Sequence, residues 1–143
     1  MSDTAIPSQP VLAIPKPQLW TGRVLTVLVI LFLLFDVAGK FMLPPQVTEA
    51  SVRIGVPVHL NPLFGAILPA CTIVYAIPRT ALLGAVLLTG YLGGAVAIQL
   101  RAGTPLFETL FPVIFGVFVW AAILLRDPHL RQHFPVRRVG AAS

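Results

Sequence analysis

Hydrophobic residues along this chain gather into four long runs, and the polar positions fall almost entirely in the breaks between them. The first run, Val24 to Leu43, has the length of about 20 residues that a bilayer-spanning helix needs. The second, Leu63 to Ile77, is shorter and interrupted by Pro69; Asn61 with Pro62 and then Pro78 bound it to about 16 residues, roughly 24 Å of helix. Such a segment must stand nearly upright or thin the bilayer. The third, Ala81 to Leu100, is rich in Gly and Ala, and the fourth, Leu106 to Leu125, contains Pro112. A proline inside a membrane helix kinks it without ending it when neighbours satisfy the freed carbonyl, so the fourth run reads as one helix. The pattern predicts an all-α integral membrane four-helix bundle with spans at about 24–43, 62–78, 80–100 and 105–125, forming one domain over 23–126.

The breaks carry turn residues: PPQVTEASVRIGVPVHLN, PRT around Arg79 and RAGT around Arg101. Only the first is long, and its residues suit one or two interfacial helical turns or a solvated loop equally well. Prolines 7, 10, 15 and 17 predict an extended, polyproline-like tail over 1–22. A secretory leader is the rival reading of this end, but FML after Lys40 extends the first apolar run to spanning length. Residues 127–143 form a basic tail suited to lie along anionic headgroups or to stay solvated.

Composition changes the picture little. Hydrophobic residues make up 57% of the chain and charged residues only 10%, against about 25% charged in a soluble domain, so the solvent is lipid. A formal charge of +5 raises nucleic acid as a partner, but the basic residues are scattered between apolar segments with no aromatic platform, which argues against it. Cys71 is the sole cysteine and sits in an apolar run, so it reads as a small buried thiol and no intrachain disulfide exists.

Charge decides orientation. Four spans put both termini on one side, together with Lys16, Arg23, Arg79, Arg126, Arg131, Arg137 and Arg138; Lys40, Arg53 and Arg101 lie opposite. Positive charge accumulates in the cytoplasm, so both termini are expected there, in the bacterial inner membrane, with Trp20 and Trp120 towards the same interface.

The same alternation places Asp36, Lys40, Gln99, Arg101 and Glu108 at the outer end, with His59 and Asn61 at that level. A charge at mid-bilayer costs about 2.5–3.5 kcal/mol on insertion scales, so each needs a partner or a wet cavity. Asp36 and Lys40 are four apart on one helix face, in the favourable order. Glu108 sits in the first turn of the fourth helix, where the macrodipole favours a carboxylate, with Arg101 as its expected counter-ion. Two readings follow: paired ions that fix helix register, or a polar ligand or proton site opening outwards.

Other motifs are weaker. Gly90 and Gly94, in TGYLGG, permit close helix packing, and Tyr91 suits core packing with one hydrogen bond or contact with a planar ligand such as a quinone. A bis-histidine haem needs two imidazoles at matched depth, whereas His59 falls outside and His129 and His133 inside. Nor does the pair in the tail have the acid or thiol company of a zinc site, so no metal and no resident cofactor is expected. No nucleophile elbow, C-x-x-C, phosphate loop or dinucleotide fingerprint occurs, which argues against a stand-alone enzyme of soluble type.

The ordered set GVPVHLNP, IPRT, LLTGYLGGAVAIQLRAG and the tryptophan followed by LLRDPHLR resembles the DoxX-like family of small bacterial membrane proteins, from about Phe35 to Arg131. The resemblance implies a four-helix membrane bundle; one branch of the family is associated with quinone-linked oxidation of sulfur compounds, others with redox or oxidative-stress complexes. Similar sequences carry a histidine where this one has Gln99, which weakens a proton-transfer or metal role there. Three functions are therefore open: an auxiliary subunit that binds a small molecule or a partner, a quinone-interacting oxidoreductase component joined to other redox subunits, or a small transporter. The last would need a homo-oligomer and a broken helix at Pro69 or Pro112.

Overall fold

The computed structural model describes residues 15–133. Its elements are α1 (Lys16–Met42), α2 (Pro45–Arg53), a 3₁₀ turn (Val58–Leu60), α3 (Asn61–Ala76), α4 (Ala81–Ala102), α5 (Leu106–Arg126) and α6 (Pro128–His133). Among the described residues there is no strand, and four helical segments have the length and composition to cross a membrane.

α1 begins at Lys16, inside the stretch that the prolines mark as an extended tail. The correction has a simple cause: Pro17 occupies the first turn, where its missing N–H has no intrahelical partner to lose and its fixed φ suits the helix. Residues 1–14, with the other prolines of the proposed tail except Pro15, lie outside the described residues, as do 134–143 of the basic tail. With 27 residues, α1 extends about 40 Å, longer than the roughly 30 Å of hydrocarbon, so its first turns reach beyond the core of the bilayer. Leu43, in the left-handed region at φ 45°, ends it by donating its N–H to the Gly39 carbonyl, and Pro44 prevents continuation. Pro69 and Pro112 are both accommodated within continuous helices.

The long break resolves as a helix. Pro45 opens α2 in the same manner, and Gly55, at φ 72°, supplies the left-handed turn that sends the chain back through the 3₁₀ turn into α3.

The four long helices alternate in direction and pack as a ring: α1 on α3, α3 on α4, α4 on α5, and α5 back on α1. α1 therefore stands diagonally opposite α4, and α3 opposite α5. Val29 and Leu33, Leu68 and Tyr75, Ala85 and Leu88, and Val119 fill the space between the four. Phe32 of α1 packs against Phe115 and Phe111 of α5, with ring centroids 4.7 and 5.6 Å away. The closest approach is between α3 and α4: a Cβ at Gly84 would stand 2.3 Å from the Tyr75 Cα, so only glycine fits. The outer surface is the reverse of a soluble protein's, with Phe35, Leu28, Leu83, Val117 and many other large apolar residues exposed, as a lipid-facing surface requires.

Candidate functional site

The interior of the bundle changes character along its length. Its lower part is apolar, while the end that carries α2 gathers polar side chains from every long helix. Inward positions on α1 run Thr26, Val29, Leu33 and then Asp36 and Lys40; on α4 they run Leu88, Tyr91, Ala95 and Gln99. Antiparallel packing brings the C-terminal ends of α1 and α4 and the N-terminal ends of α3 and α5 to one level. Asp36, Lys40, Gln99, Arg101 and Glu108 all belong to that end.

Asp36 and Lys40 form an ion pair along α1, half-buried on the side of the bundle where α3 begins. Gly65 makes room for it, since a Cβ there would come within 3.3 Å of the Lys40 Cβ and of the Phe41 ring. Lys40 is thus held against α3 by its stem while its ammonium satisfies the carboxylate one turn deeper.

Glu108 pairs with Arg53 of α2 at 2.5 Å, and not with Arg101. The reason lies in the α4–α5 turn. Gly103 in the left-handed region and Pro105 at the start of α5 separate the two side chains despite their short distance in sequence. Arg101 turns instead towards the α2 loop, where its Nη2 would lie 3.3 Å from a Cβ on Gly55, and among the described residues no carboxylate pairs with it.

α2 is fastened at a second point. Asn61 Nδ2 donates to Ser51 Oγ at 2.9 Å, and that hydroxyl donates to the Val47 carbonyl at 2.8 Å; both side chains are buried. α2 therefore covers the polar end of the bundle, held by a buried amide-hydroxyl contact on one side and by an exposed ion pair on the other. Thr104 and Thr109 lie 3.2 Å apart through their hydroxyls and close the remaining edge.

Two groups on the inward stripe of α4 stand out. Tyr91 is half-buried on α4, the helix diagonally opposite the one that carries Asp36. Gln99 Oε1 is buried and has no hydrogen-bond partner among the described residues. Gly90 and Gly94 face outwards, and a Cβ at either would meet nothing within 4 Å, so neither contributes a close contact within the chain.

Sequence reasoning missed Tyr75, whose fully buried hydroxyl donates to the Val119 carbonyl, and it missed Arg53 as the partner of Glu108. The signals were faint: Tyr75 stands at the end of a short run beside Pro78, and Arg53 lies in a break whose residues suit a helical turn or a solvated loop equally well. His59 lies exposed in the 3₁₀ turn; His129 lies at the start of α6, far from it along the bundle.

A ring of antiparallel helices with a lipid-facing surface and a polar layer at one end defines a multi-pass integral membrane protein. The chain belongs to the DoxX-like family, whose model matches residues 24–122. No curated protein and no solved structure matches it.

Proposed function

We propose that the protein is an auxiliary subunit of a membrane complex, and that the polar layer beneath α2 receives a small molecule bearing a hydrogen-bond donor. The observation that carries this reading is Gln99 Oε1, buried with no donor among the described residues. An unsatisfied buried acceptor costs about 1–3 kcal/mol, and an incoming O–H or N–H offsets that cost. Asp36, Lys40 and Arg101 supply charge of both signs at the same level. The test is extraction of small molecules from protein purified out of native membranes, followed by mass spectrometry. A molecule retained by the parent protein and lost from a folded Gln99→Leu variant supports the reading; no molecule in either overturns it.

A second reading, a quinone-interacting component of a redox complex, draws on Tyr91 and Asp36, which lie half-buried on diagonally opposite helices. The pair could exchange a proton with a bound headgroup, while the electrons would come from another subunit. Quinone retention that depends on both Tyr91 and Asp36 distinguishes it from the first.

We infer that the α1 N-terminus lies in the cytoplasm of a bacterial cell. Among the described residues, Lys16, Arg23, Arg79, Arg126 and Arg131 at that end face one acid, Asp127, whereas at the other Lys40, Arg53 and Arg101 balance Asp36, Glu49 and Glu108. Cysteine labelling of Arg79→Cys and Arg101→Cys from either side of intact membranes tests it, and labelling of both from one side overturns it.

A further inference from the structure

Away from the polar layer, α4 and α5 part on the lipid-facing surface to leave a groove of about 480 Å³. It runs from Val96 and Pro112, past Gly93, Gly116 and Trp120, to Leu124 two residues before Arg126 at the end of α5. We propose that this groove binds one acyl tail of an anionic phospholipid from the leaflet at the basic end of the bundle.

The groove exists because of two glycines that the chain itself does not need. A Cβ at Gly93 would meet nothing within 4 Å, and one at Gly116 would meet only the tip of Leu92, at 3.7 Å. The polar groups in its wall are already engaged: Trp120 Nε1 donates to Thr89 Oγ1 at 2.9 Å, and that hydroxyl donates to the Ala85 carbonyl at 2.7 Å. What fills the groove is therefore hydrocarbon.

Its length selects a lipid tail over a second copy of the chain. From Pro112 to Leu124 α5 rises about 18 Å, against a hydrocarbon thickness of roughly 15 Å for a single leaflet. A seam for another transmembrane helix would run the full length of α5, and this one ends at Pro112, six residues short of Leu106. The groove also ends where the charge lies. Arg79, in the turn before α4, and Arg131, on α6, are exposed, and among the described residues neither has an ion-pair partner. Among the described residues the acid at that end is Asp127, whose Oδ1 accepts from the backbone N–H groups of His129 and Leu130, at 2.9 and 3.1 Å. Among the described residues an anionic headgroup over Leu124 meets an end where Lys16, Arg23, Arg79, Arg126 and Arg131 outnumber Asp127. Each basic residue near the membrane surface strengthens anion binding about fivefold.

Trp120 makes the site directly readable, because the chain has only two tryptophans and Trp20 can be replaced by Phe. The Trp20→Phe protein is reconstituted into phosphatidylcholine vesicles containing either phosphatidylglycerol or phosphatidylcholine with brominated acyl chains, at equal mole fraction. The expected result is quenching of Trp120 severalfold stronger by the brominated anionic lipid. Gly93→Leu, which fills the groove, removes that excess, and Arg79→Gln with Arg131→Gln reduces it while leaving quenching by the zwitterionic lipid intact. Equal quenching by both lipids in the Trp20→Phe protein overturns the proposal without recourse to any groove variant. So does shielding from both lipids that is relieved on dilution of protein in the bilayer, which marks a second copy as the occupant.

Discussion

The Tyr75 hydroxyl donates to the Val119 carbonyl at 3.0 Å, a bond that crosses the bundle between α3 and α5, two helices that face each other across its diagonal. Tyr75 is fully buried, and Gly84 packs on its backbone, so one residue ties together three of the four long helices. Tyr75→Phe keeps the ring and loses the bond, for an expected loss of about 0.5–1.5 kcal/mol. Tyr75→Ala also opens a cavity and loses about 3–5 kcal/mol, by analogy with other buried aromatic truncations. Thermal unfolding in detergent micelles orders the two variants, and equal melting temperatures would refute a packing role for the ring.

The glycines separate into those the bundle requires and those it does not. Gly84→Ala places a methyl group 2.3 Å from the Tyr75 Cα and must force α3 and α4 apart, so poor folding or a large drop in melting temperature is expected. Gly90→Ala and Gly94→Ala meet open space and are expected to be neutral or to stabilise by up to about 1 kcal/mol through helix propensity. The same melting measurement distinguishes the classes. A large loss at Gly90 or Gly94 would reveal a contact with another chain.

Asp36 and Lys40 are expected to behave as a unit. Asp36→Asn leaves a half-buried ammonium without its counter-ion, and Lys40→Gln does the reverse, so each single change destabilises while the double change recovers much of the loss. A double-mutant cycle on melting temperature measures the coupling. Additive losses would show that Asp36 answers to something other than Lys40.

Arg53 and Glu108 are joined by a pair whose side chains keep 57% and 32% of their exposure, so breaking it should change global stability by less than about 1 kcal/mol. Its effect should be local. Glu108→Gln is expected to raise hydrogen exchange in α2 selectively, because the Ser51–Asn61 contact alone then holds the cover. Arg101→Gln is expected to leave α2 exchange unchanged, since Glu108 keeps its partner. Equal effects of the two substitutions would point to Arg101 as the true counter-ion.

The number of spans, their alternation and the end at which the ionic residues collect were legible from the apolar runs, because a membrane fixes helix length and charges cannot hide in lipid. Which face of each helix turns inward was not. In lipid, the core-facing and outward-facing residues are both apolar, so Val29 and Leu28 look alike in the sequence although one is buried and the other exposed. That is why Tyr91 drew attention and Tyr75 did not. The pairing of Glu108 was illegible for another reason: it depends on where α2 lies, which is set by Gly55 and by the Ser51–Asn61 contact ten residues apart in sequence. Residue type and helix count assign the ionic side chains to one end, while α2 as their cover and the unsatisfied acceptor of Gln99 emerge only from packing.

The ring order of the helices bears on how the protein is made. α1 leaves the ribosome first, yet one of its two neighbours, α5, is synthesised last among the spans. Until then Phe32 has no aromatic partner and the Gly22 face of α1 lacks the Arg126 stem that covers it in the finished bundle. The first segment to enter the bilayer must wait, half-sheltered by α3, for the fourth to dock, so a chain stalled or truncated before residue 106 presents an open flank to whatever insertase or protease surveys the membrane.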